Sequence, residues 1–295
     1  MTTDRELKNS IFAAKAAAEG AQQPQRNNNN PKDDLGFDLE IKAAPIPSMG
    51  LVYPVGHPLF NAQVVDIKQM TTKEQDILTN RTLVKSGRVI TELLKSSILD
   101  KSIDVTDLLS GDRNAIMFSI RIHGYQKEYR PKVNCPKCGK EQRLDVDLEQ
   151  LPLKTLDLTK VNQVAEGANE FSFLLPSTKK NVVFKFLTGK DEERILLDLE
   201  TKRKKGILQE NLVTTRLISS IISIEGHANR DLIAKFCTNM PAKDSLALTK
   251  HIDATEPGID MTKEFVCLNT KDDCEFAGKI DIPMTSEFFS PSDEE

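Results

Sequence analysis

The sequence predicts an α+β protein in which a helical body carries a split Cys₄ zinc-ribbon-like β unit and an inserted β-hairpin with further helices. Three observations support this fold class. Apolar residues recur at helical spacing over much of residues 66–124 and 190–255. Around residues 171–186 they alternate instead, as in half-buried strands. Four of the five cysteines form two pairs along the chain, each between strand-like segments.

The composition argues against several classes of protein. The chain has 295 residues, enough for one or two domains. Its 40 Lys and Arg against 44 Asp and Glu give no overall attraction to nucleic acid, and the absence of Trp argues against a surface that stacks bases. No apolar run is long enough to cross a bilayer, and charged residues interrupt the N-terminal apolar stretch that a signal peptide would need. We therefore expect the cysteines to lie in a reducing compartment.

The first 65 residues are predicted to lack a core of their own. Residues 1–34 hold a short helical pattern and then a tract rich in Asn, Gln and Pro, which buries too little apolar area to offset chain entropy. We expect a disordered N-terminal arm there. Residues 35–65 contain four prolines, which exclude a long helix. We expect an extended segment that docks on a partner surface.

Residues 66–124 are predicted to form a helical unit. Two consecutive threonines, 71 and 72, are each followed three residues later by Glu or Gln, which is the pattern of a capping box. A break is expected at Gly87, and a second helical pattern follows Asp104.

Residues 153–262 are predicted to be an insertion between the two halves of the ribbon. Phe171, Phe173, Val182 and Phe184 alternate around "PSTKKN", which predicts a hairpin. Four helical patterns follow it: "KDEERILLDLETKRKKG", "QENLVTTRLISSIISIEG", "NRDLIAKFCTNM" and "AKDSLALTKHIDAT".

The two cysteine pairs carry the main functional signal. Cys135 and Cys138 have the spacing of a zinc knuckle, within residues 125–152. Cys267 and Cys274 enclose a six-residue loop, longer than usual, within residues 263–295. In each pair an apolar strand leads into the first cysteine and another follows the second. Brought together, the four thiolates would form a tetrahedral Cys₄ site for one structural zinc ion, with no open position for catalysis.

Other interpretations of the cysteines stay open. A redox pair would need a thiol at a helix N-terminus, whereas the pattern around "CPKC" is strand, knuckle and strand. Cys237 is predicted to be a buried apolar residue instead of a ligand.

The sequence offers no catalytic arrangement, so we expect a protein that is not an enzyme and binds no small-molecule substrate. The four histidines lie at no spacing typical of nucleophilic catalysis, and no glycine-rich phosphate loop occurs. The polar stretch "SGDRNA" is better explained as a helix start, capped by Ser110 or Asp112.

Several stretches together resemble the baseplate proteins of contractile-tailed, T4-type bacteriophages, in particular the small hub-assembly component. They are "YPVGHPLF", "TTKEQDILTN", "LLSGDRNAIMFSIRIHGYQKEY", "CPKCGKEQRLDVDLEQL", "KDSLALTKHIDATEPGID" and "IPMTSEFFSP". The resemblance runs from about residue 50 to 291. It implies a non-enzymatic role at the central hub of the tail baseplate, with other hub and baseplate subunits as partners, no membrane, and assembly in the host cytoplasm.

Two functional alternatives accompany this expectation. A zinc-ribbon nucleic-acid-binding or transcription-associated factor would bind DNA with a steep dependence on salt. A thiol redox enzyme would need a cysteine that reacts at neutral pH. At the C-terminal end, Phe288 and Phe289 are expected to pack either on their own domain or in a groove of a neighbouring subunit, and we predict that they contribute to subunit contact.

Overall fold

The computed structural model describes residues 40–204, 212–269, 274–284 and 288–289. The predicted arm at 1–34 lies outside these residues. The chain divides after Glu40, and all elements named below belong to the unit Ile41–Glu295. Helices and small antiparallel sheets are mixed along this unit, so the predicted α+β class is confirmed.

The helices of the described residues are α1 (Thr72–Thr79), α2 (Arg81–Lys85), α3 (Val89–Ser97), α4 (Ser110–Gly124), α5 (Gly189–Lys204), α6 (Leu212–Ser220), α7 (Arg230–Asn239) and α8 (Ala242–Thr255). The strands are β1 (Ile41–Pro45), β2 (Val64–Lys68), β3 (Glu128–Tyr129), β4 (Lys132–Asn134), β5 (Glu141–Arg143), β6 (Val146–Asp147), β7 (Leu153–Lys154), β8 (Asn162–Gln163), β9 (Phe171–Leu174), β10 (Asn181–Phe184), β11 (Ile221–Ile224), β12 (Gly258–Ile259), β13 (Thr262–Val266) and β14 (Ala277–Asp281).

The segment that precedes α1 packs into the core of the chain. β1 and β2 pair antiparallel in a five-residue register, and turns connect them. The buried hydrophobic side chains of this segment are Ala44, Ile46, Val52, Tyr53, Leu59, Val65 and Ile67. Within this segment β1 and the start of β2 are extended, as expected, whereas turns occupy much of the chain between them. Docking of this segment on a partner stays a prediction.

Asp112 of α4 holds these turns in place. One carboxylate oxygen accepts the backbone N–H of Ser48 at 2.8 Å, and the other accepts the hydroxyls of Ser48 and Tyr53, both at 2.6 Å. Asp112 therefore does not cap its own helix. Ser110 does not cap it either, since α4 has Leu109 at its N-cap and no side-chain cap bond. The helix start is confirmed, but the predicted capping residues are wrong.

The helical unit begins as the sequence predicts. Thr71 and Glu74 form a reciprocal capping box at the start of α1. Gly87, with φ of +68°, separates α2 from α3 in the left-handed region that favours glycine. α4 then runs through the centre of the fold, and eleven of its fifteen residues are buried.

The insertion contains the predicted hairpin. β9 and β10 pair antiparallel and belong to a four-stranded sheet of order β11-β10-β9-β8. Phe171, Phe184 and Phe186 pack together on its buried side, and α8 contributes His251 against Phe184. The second helical pattern of the insertion departs from expectation, because residues 221–224 follow the end of α6 and pair with β10 as β11.

A second, smaller core lies where the early and late segments of the chain meet. It joins residues of α4, such as Phe118, to β3, β6 and β13 and to all four paired cysteines. Two antiparallel hairpins lie beside this core: β4–β5 and β13–β14. Among the described residues, no helix combines the length and apolarity that a membrane span requires.

Candidate metal centre

The hairpin β4–β5 positions the first pair of cysteines. Cys135 directly follows β4, and its backbone N–H donates to the carbonyl of Lys140 at 3.0 Å. The Gly139 N–H donates back to the Cys135 carbonyl at 2.8 Å. Gly139 adopts φ of +71°, which a residue with a Cβ enters only with strain. The resulting turn directs Cys135 and Cys138 to the same side of the hairpin, as the knuckle spacing predicts.

The hairpin β13–β14 positions the second pair. Its five-residue register continues past β13 through a bond from the Cys267 N–H to the Phe276 carbonyl, at 2.9 Å. The Cys274 N–H donates to the Asn269 carbonyl at 3.2 Å. Cys274 therefore lies close to Cys267.

The four sulfurs meet although about 130 residues separate the two pairs. All four Sγ atoms lie within 4.8 Å of one another. The Sγ atoms of Cys135 and Cys274 are 3.8 Å apart, and those of Cys138 and Cys267 are 3.7 Å apart. A disulfide would need about 2.05 Å, so these are free thiols. A zinc ion with Zn–S bonds of about 2.3 Å requires sulfurs about 3.8 Å apart at the corners of a tetrahedron.

Direct contacts tie the two hairpins together around the sulfurs. The side-chain carbonyl of Gln142, in β5, accepts the N–H of Leu268 at 2.9 Å. The ammonium of Lys263, in β13, donates to the backbone carbonyl of Asp145. Cys135, Cys267 and Cys274 are at most 8% exposed. Hydrogen bonds between the two hairpins therefore help to hold the sulfurs together, and most of the cluster is shielded from bulk water.

The thiols of the cluster differ in acidity. A hydrogen bond from the Asn269 side chain to the Cys138 sulfur, at 3.5 Å, lowers the pKa of that thiol to about 6. Burial raises the pKa of Cys267 to about 12. Four thiolates this close repel one another in the absence of a cation, and a divalent ion would remove that conflict. The four cysteines could therefore bind a metal ion.

Two other residues of a type that binds metals lie outside this cluster. Cys237, in α7, is 6% exposed in the main core, and burial raises the pKa of its thiol to about 11. This confirms the prediction that Cys237 is a buried apolar residue. His123 is not among the clustered ligands that the described residues provide.

The C-terminal phenylalanines lie against the second core. Phe288 is 2% exposed and packs on Phe118 and Tyr129, with ring centroids 4.9 and 5.2 Å away. Phe289 is partly buried beside it. The structure thus shows intramolecular packing, one of the two arrangements that the sequence leaves open. A contribution to subunit contact stays a prediction.

Sequence reasoning missed the residues that support the cysteines. Asn269 lies inside the loop of the second pair, and a donor so close to two ligands is the signal that could have found it. Gln142 carries no such signal, because its partners are 124 and 126 residues away.

Comparison with known proteins gives one match. A family model described as T4 bacteriophage base plate protein matches residues 57–290, a range that contains both cysteine pairs and both C-terminal phenylalanines. No curated protein and no solved structure matches the chain.

Proposed function

The chain belongs to the family of T4 bacteriophage base plate proteins, and from this premise we propose that it is a structural subunit of the central baseplate hub whose ribbon is held by one zinc ion. The observation that carries the proposal is the convergence of four cysteines within a chain that matches the family over most of its length. The baseplate role rests on the family, and the zinc and the hub position are our inferences.

The sulfur geometry supports zinc over other occupants. Four thiolates at nearly tetrahedral distances are the ligand set that structural zinc prefers, and harder ions such as magnesium prefer oxygen. Cys135, Cys138, Cys267 and Cys274 would supply all four ligands. When bound, the ion would neutralise the thiolates and cross-link the two hairpins.

This cross-link would matter because the second core is small. Strands β4 and β5 have three residues each, and the neighbouring strands β3 and β6 have two each. The hairpins β4–β5 and β13–β14 contribute few large buried side chains of their own. Structural zinc contributes on the order of 10 kcal/mol to the folding of such units. Zinc binding would therefore fix the ends of the insertion to each other and give the subunit a rigid surface for its neighbours.

A closed Cys₄ site supports a structural role for the ion. With four protein ligands, no position remains for substrate or water. A redox role finds less support, since Cys135 and Cys138 lie on a hairpin turn and not at a helix N-terminus. We accordingly propose a protein that acts through contacts with other baseplate and hub subunits during assembly in the host cytoplasm.

The charges around the ribbon disfavour the alternative of a nucleic-acid-binding factor. Two basic side chains near the first hairpin are paired with carboxylates, Arg130 with Asp145 at 2.9 Å and Lys132 with Glu141 at 3.2 Å. Such pairs leave little unpaired positive charge for phosphates. A salt-dependent affinity for DNA would support this alternative instead.

Complementation with variants tests the role and the zinc together. Host cells would express the protein during infection by phage that lack a functional copy. The wild-type protein and the control Cys237→Ser should restore complete tails, whereas the double variant Cys135→Ser/Cys138→Ser should not. Equal rescue by the double variant would contradict a functional role for zinc.

Two further measurements address the hub and the virion. Mass spectrometry of purified particles beside infected-cell lysate shows whether the subunit stays in the finished tail. Cross-linking of isolated baseplates should join this chain to the central subunits. Cross-links confined to peripheral subunits would contradict the hub position.

A further inference from the structure

A cleft beside the start of α4 and the end of α8 combines polar and apolar walls. Its polar part, about 520 Å³, is lined by Ser110, Lys154, Glu192, Arg216, Asp253 and Glu256, among others. A smaller apolar part, about 240 Å³, is lined by Leu187, Leu217 and Ile252. The two parts share Arg216, Asp253 and Glu256. We call them together the α4–α8 cleft.

Two side chains of the cleft have unmet hydrogen-bonding capacity. Ser110 is 7% exposed, and its hydroxyl has no hydrogen-bond partner within the described part of the chain. Glu256, just after α8, is half-buried, and its carboxylate makes no hydrogen bond or close ion pair to any described residue. Burial raises the pKa of Glu256 to about 7, since little compensates for the water that it has lost. Buried polar groups in folded proteins are nearly always satisfied, so the Ser110 hydroxyl indicates a partner in the cleft, which Glu256 also lines.

The charge of the cleft indicates the sign of that ligand. Five carboxylates line the polar part, those of Glu192, Asp253, Glu256, Asp260 and Asp281, against the two cations Lys154 and Arg216. A cationic ligand therefore fits this part. A metal ion is a poor candidate, because the cysteine cluster is the one metal-ligating group that the described residues bring together.

We propose that the α4–α8 cleft binds an arginine side chain of a neighbouring baseplate subunit. A guanidinium offers five donors in a rigid plane, which suits the acceptors of Ser110 and Glu256. The methylene stem of arginine would lie along Leu187, Leu217 and Ile252, as long basic side chains commonly lie on apolar surface. The inference deepens the proposed function, since it rests on this chain having subunits as neighbours.

Arg216 of the chain itself is the competing partner for Glu256. It lines both parts of the cleft and is exposed, and its charge lowers the pKa of Glu256 only in part. No ion pair of Arg216 occurs among the described residues. If Arg216 pairs with Glu256 instead, the cleft needs no external ligand, and the wild-type protein should not bind an arginine probe.

Titration of the full-length protein with small probes tests the proposal. Nα-acetyl-arginine N-methylamide would be compared with the citrulline analogue, which has nearly the same shape and no charge. Amide resonances of residues 110–114 and 256–262 should shift with the arginine probe, and the citrulline probe should bind at least about tenfold more weakly. Equal binding of the two probes, tighter binding of the matching lysine probe, or no binding would overturn the proposal.

Variants identify the contacts. Glu256→Gln should weaken the arginine probe by at least about tenfold, while Glu264→Gln, an exposed carboxylate on β13, should leave binding unchanged. Arg216→Gln should strengthen binding, because it removes a competing positive charge. Unchanged binding to Glu256→Gln, or weaker binding to Arg216→Gln, would contradict the proposal. These titrations require no phage particle, so their failure is distinguishable from failure of the baseplate role.

Discussion

The guanidinium of Arg121 donates a hydrogen bond from Nε to the backbone carbonyl of Phe288, at 2.5 Å and 167 residues away along the chain. Its other nitrogens donate to the carbonyls of Gln126 and Glu128. Arg121 is 1% exposed and lies over the rings of Phe288 and Tyr125. A buried arginine thus connects α4, the start of the ribbon and the C-terminal segment, and backbone oxygens satisfy its donors in place of a carboxylate.

Replacing Phe288 by Ala should destabilise the isolated subunit. Loss of a fully buried aromatic side chain typically costs about 3–5 kcal/mol through lost burial and the remaining cavity. Urea unfolding of the purified protein measures the change. Phe289→Ala is the matched control and should cost clearly less, because Phe289 is only partly buried. If Phe288→Ala leaves folding intact and weakens subunit association, the original prediction of a partner contact is favoured instead.

Replacing Asp112 by Asn should loosen the turns between β1 and β2. An amide keeps the shape but turns one acceptor of the Ser48 and Tyr53 hydrogen bonds into a donor, and an unsatisfied buried polar group costs about 1–3 kcal/mol. Hydrogen exchange of residues 48–60 reports the loosening. Tyr53→Phe removes one of these bonds and also the acceptor of the Leu109 N–H, so it should loosen the same turns. A variant as stable as the wild type would show that these bonds do not hold the segment.

The parts of the fold with periodic, local signals could be predicted from the sequence. The α1 capping box, the β9–β10 hairpin and the cysteine pairs are examples, because each depends on residues within a short window. The convergence of Cys135 with Cys274 was also predictable, because the two hairpins follow one plan of strand, cysteine and strand.

Features that depend on contacts distant in sequence could not be predicted. The run "IISI" at 221–224 continues the apolar spacing of α6, and only its pairing with β10 makes it a strand. The prolines before α1 exclude a helix, but they do not indicate that Ser48 and Tyr53 would donate hydrogen bonds to Asp112 within the core. Ser110 and Glu256 are 146 positions apart, and neither lies in a local motif that indicates a binding site. The α4–α8 cleft therefore has no signal in the sequence.

Glu74 should contribute stability that is lost in acid. Burial alone would raise the pKa of this carboxyl, but hydrogen bonds from Lys68, Ser96 and Thr71 outweigh burial and lower the pKa to about 2, from 4.5. A carboxyl with a lowered folded-state pKa stabilises the fold above the unfolded-state value and ceases to do so as pH falls. The stability of the wild type should therefore fall between about pH 4.5 and pH 2 more steeply than that of Glu74→Gln. Parallel curves from urea titrations across this range would contradict the assignment.

Replacing Gly111 by Ala should separate α4 from the segment that follows α8. A Cβ at Gly111 would lie 1.8 Å from the carbonyl oxygen of Pro257, which is backbone and cannot move alone. Overpacking of this kind costs about 1–3 kcal/mol. Gly258, across the same contact, is the matched control, because a Cβ there would lie an ordinary 3.5 Å from the Gly111 Cα. Thermal unfolding of both variants measures the difference, and equal stability would show that the contact can shift freely.

The metal content of the purified protein tests the central claim most directly. Protein expressed without added chelator and analysed by elemental mass spectrometry should contain one zinc ion per chain, which Cys237→Ser retains and Cys135→Ser/Cys138→Ser loses. A wild-type protein that is fully folded and carries no metal, or a double variant that keeps its zinc, would contradict the assignment of the four cysteines as a zinc site.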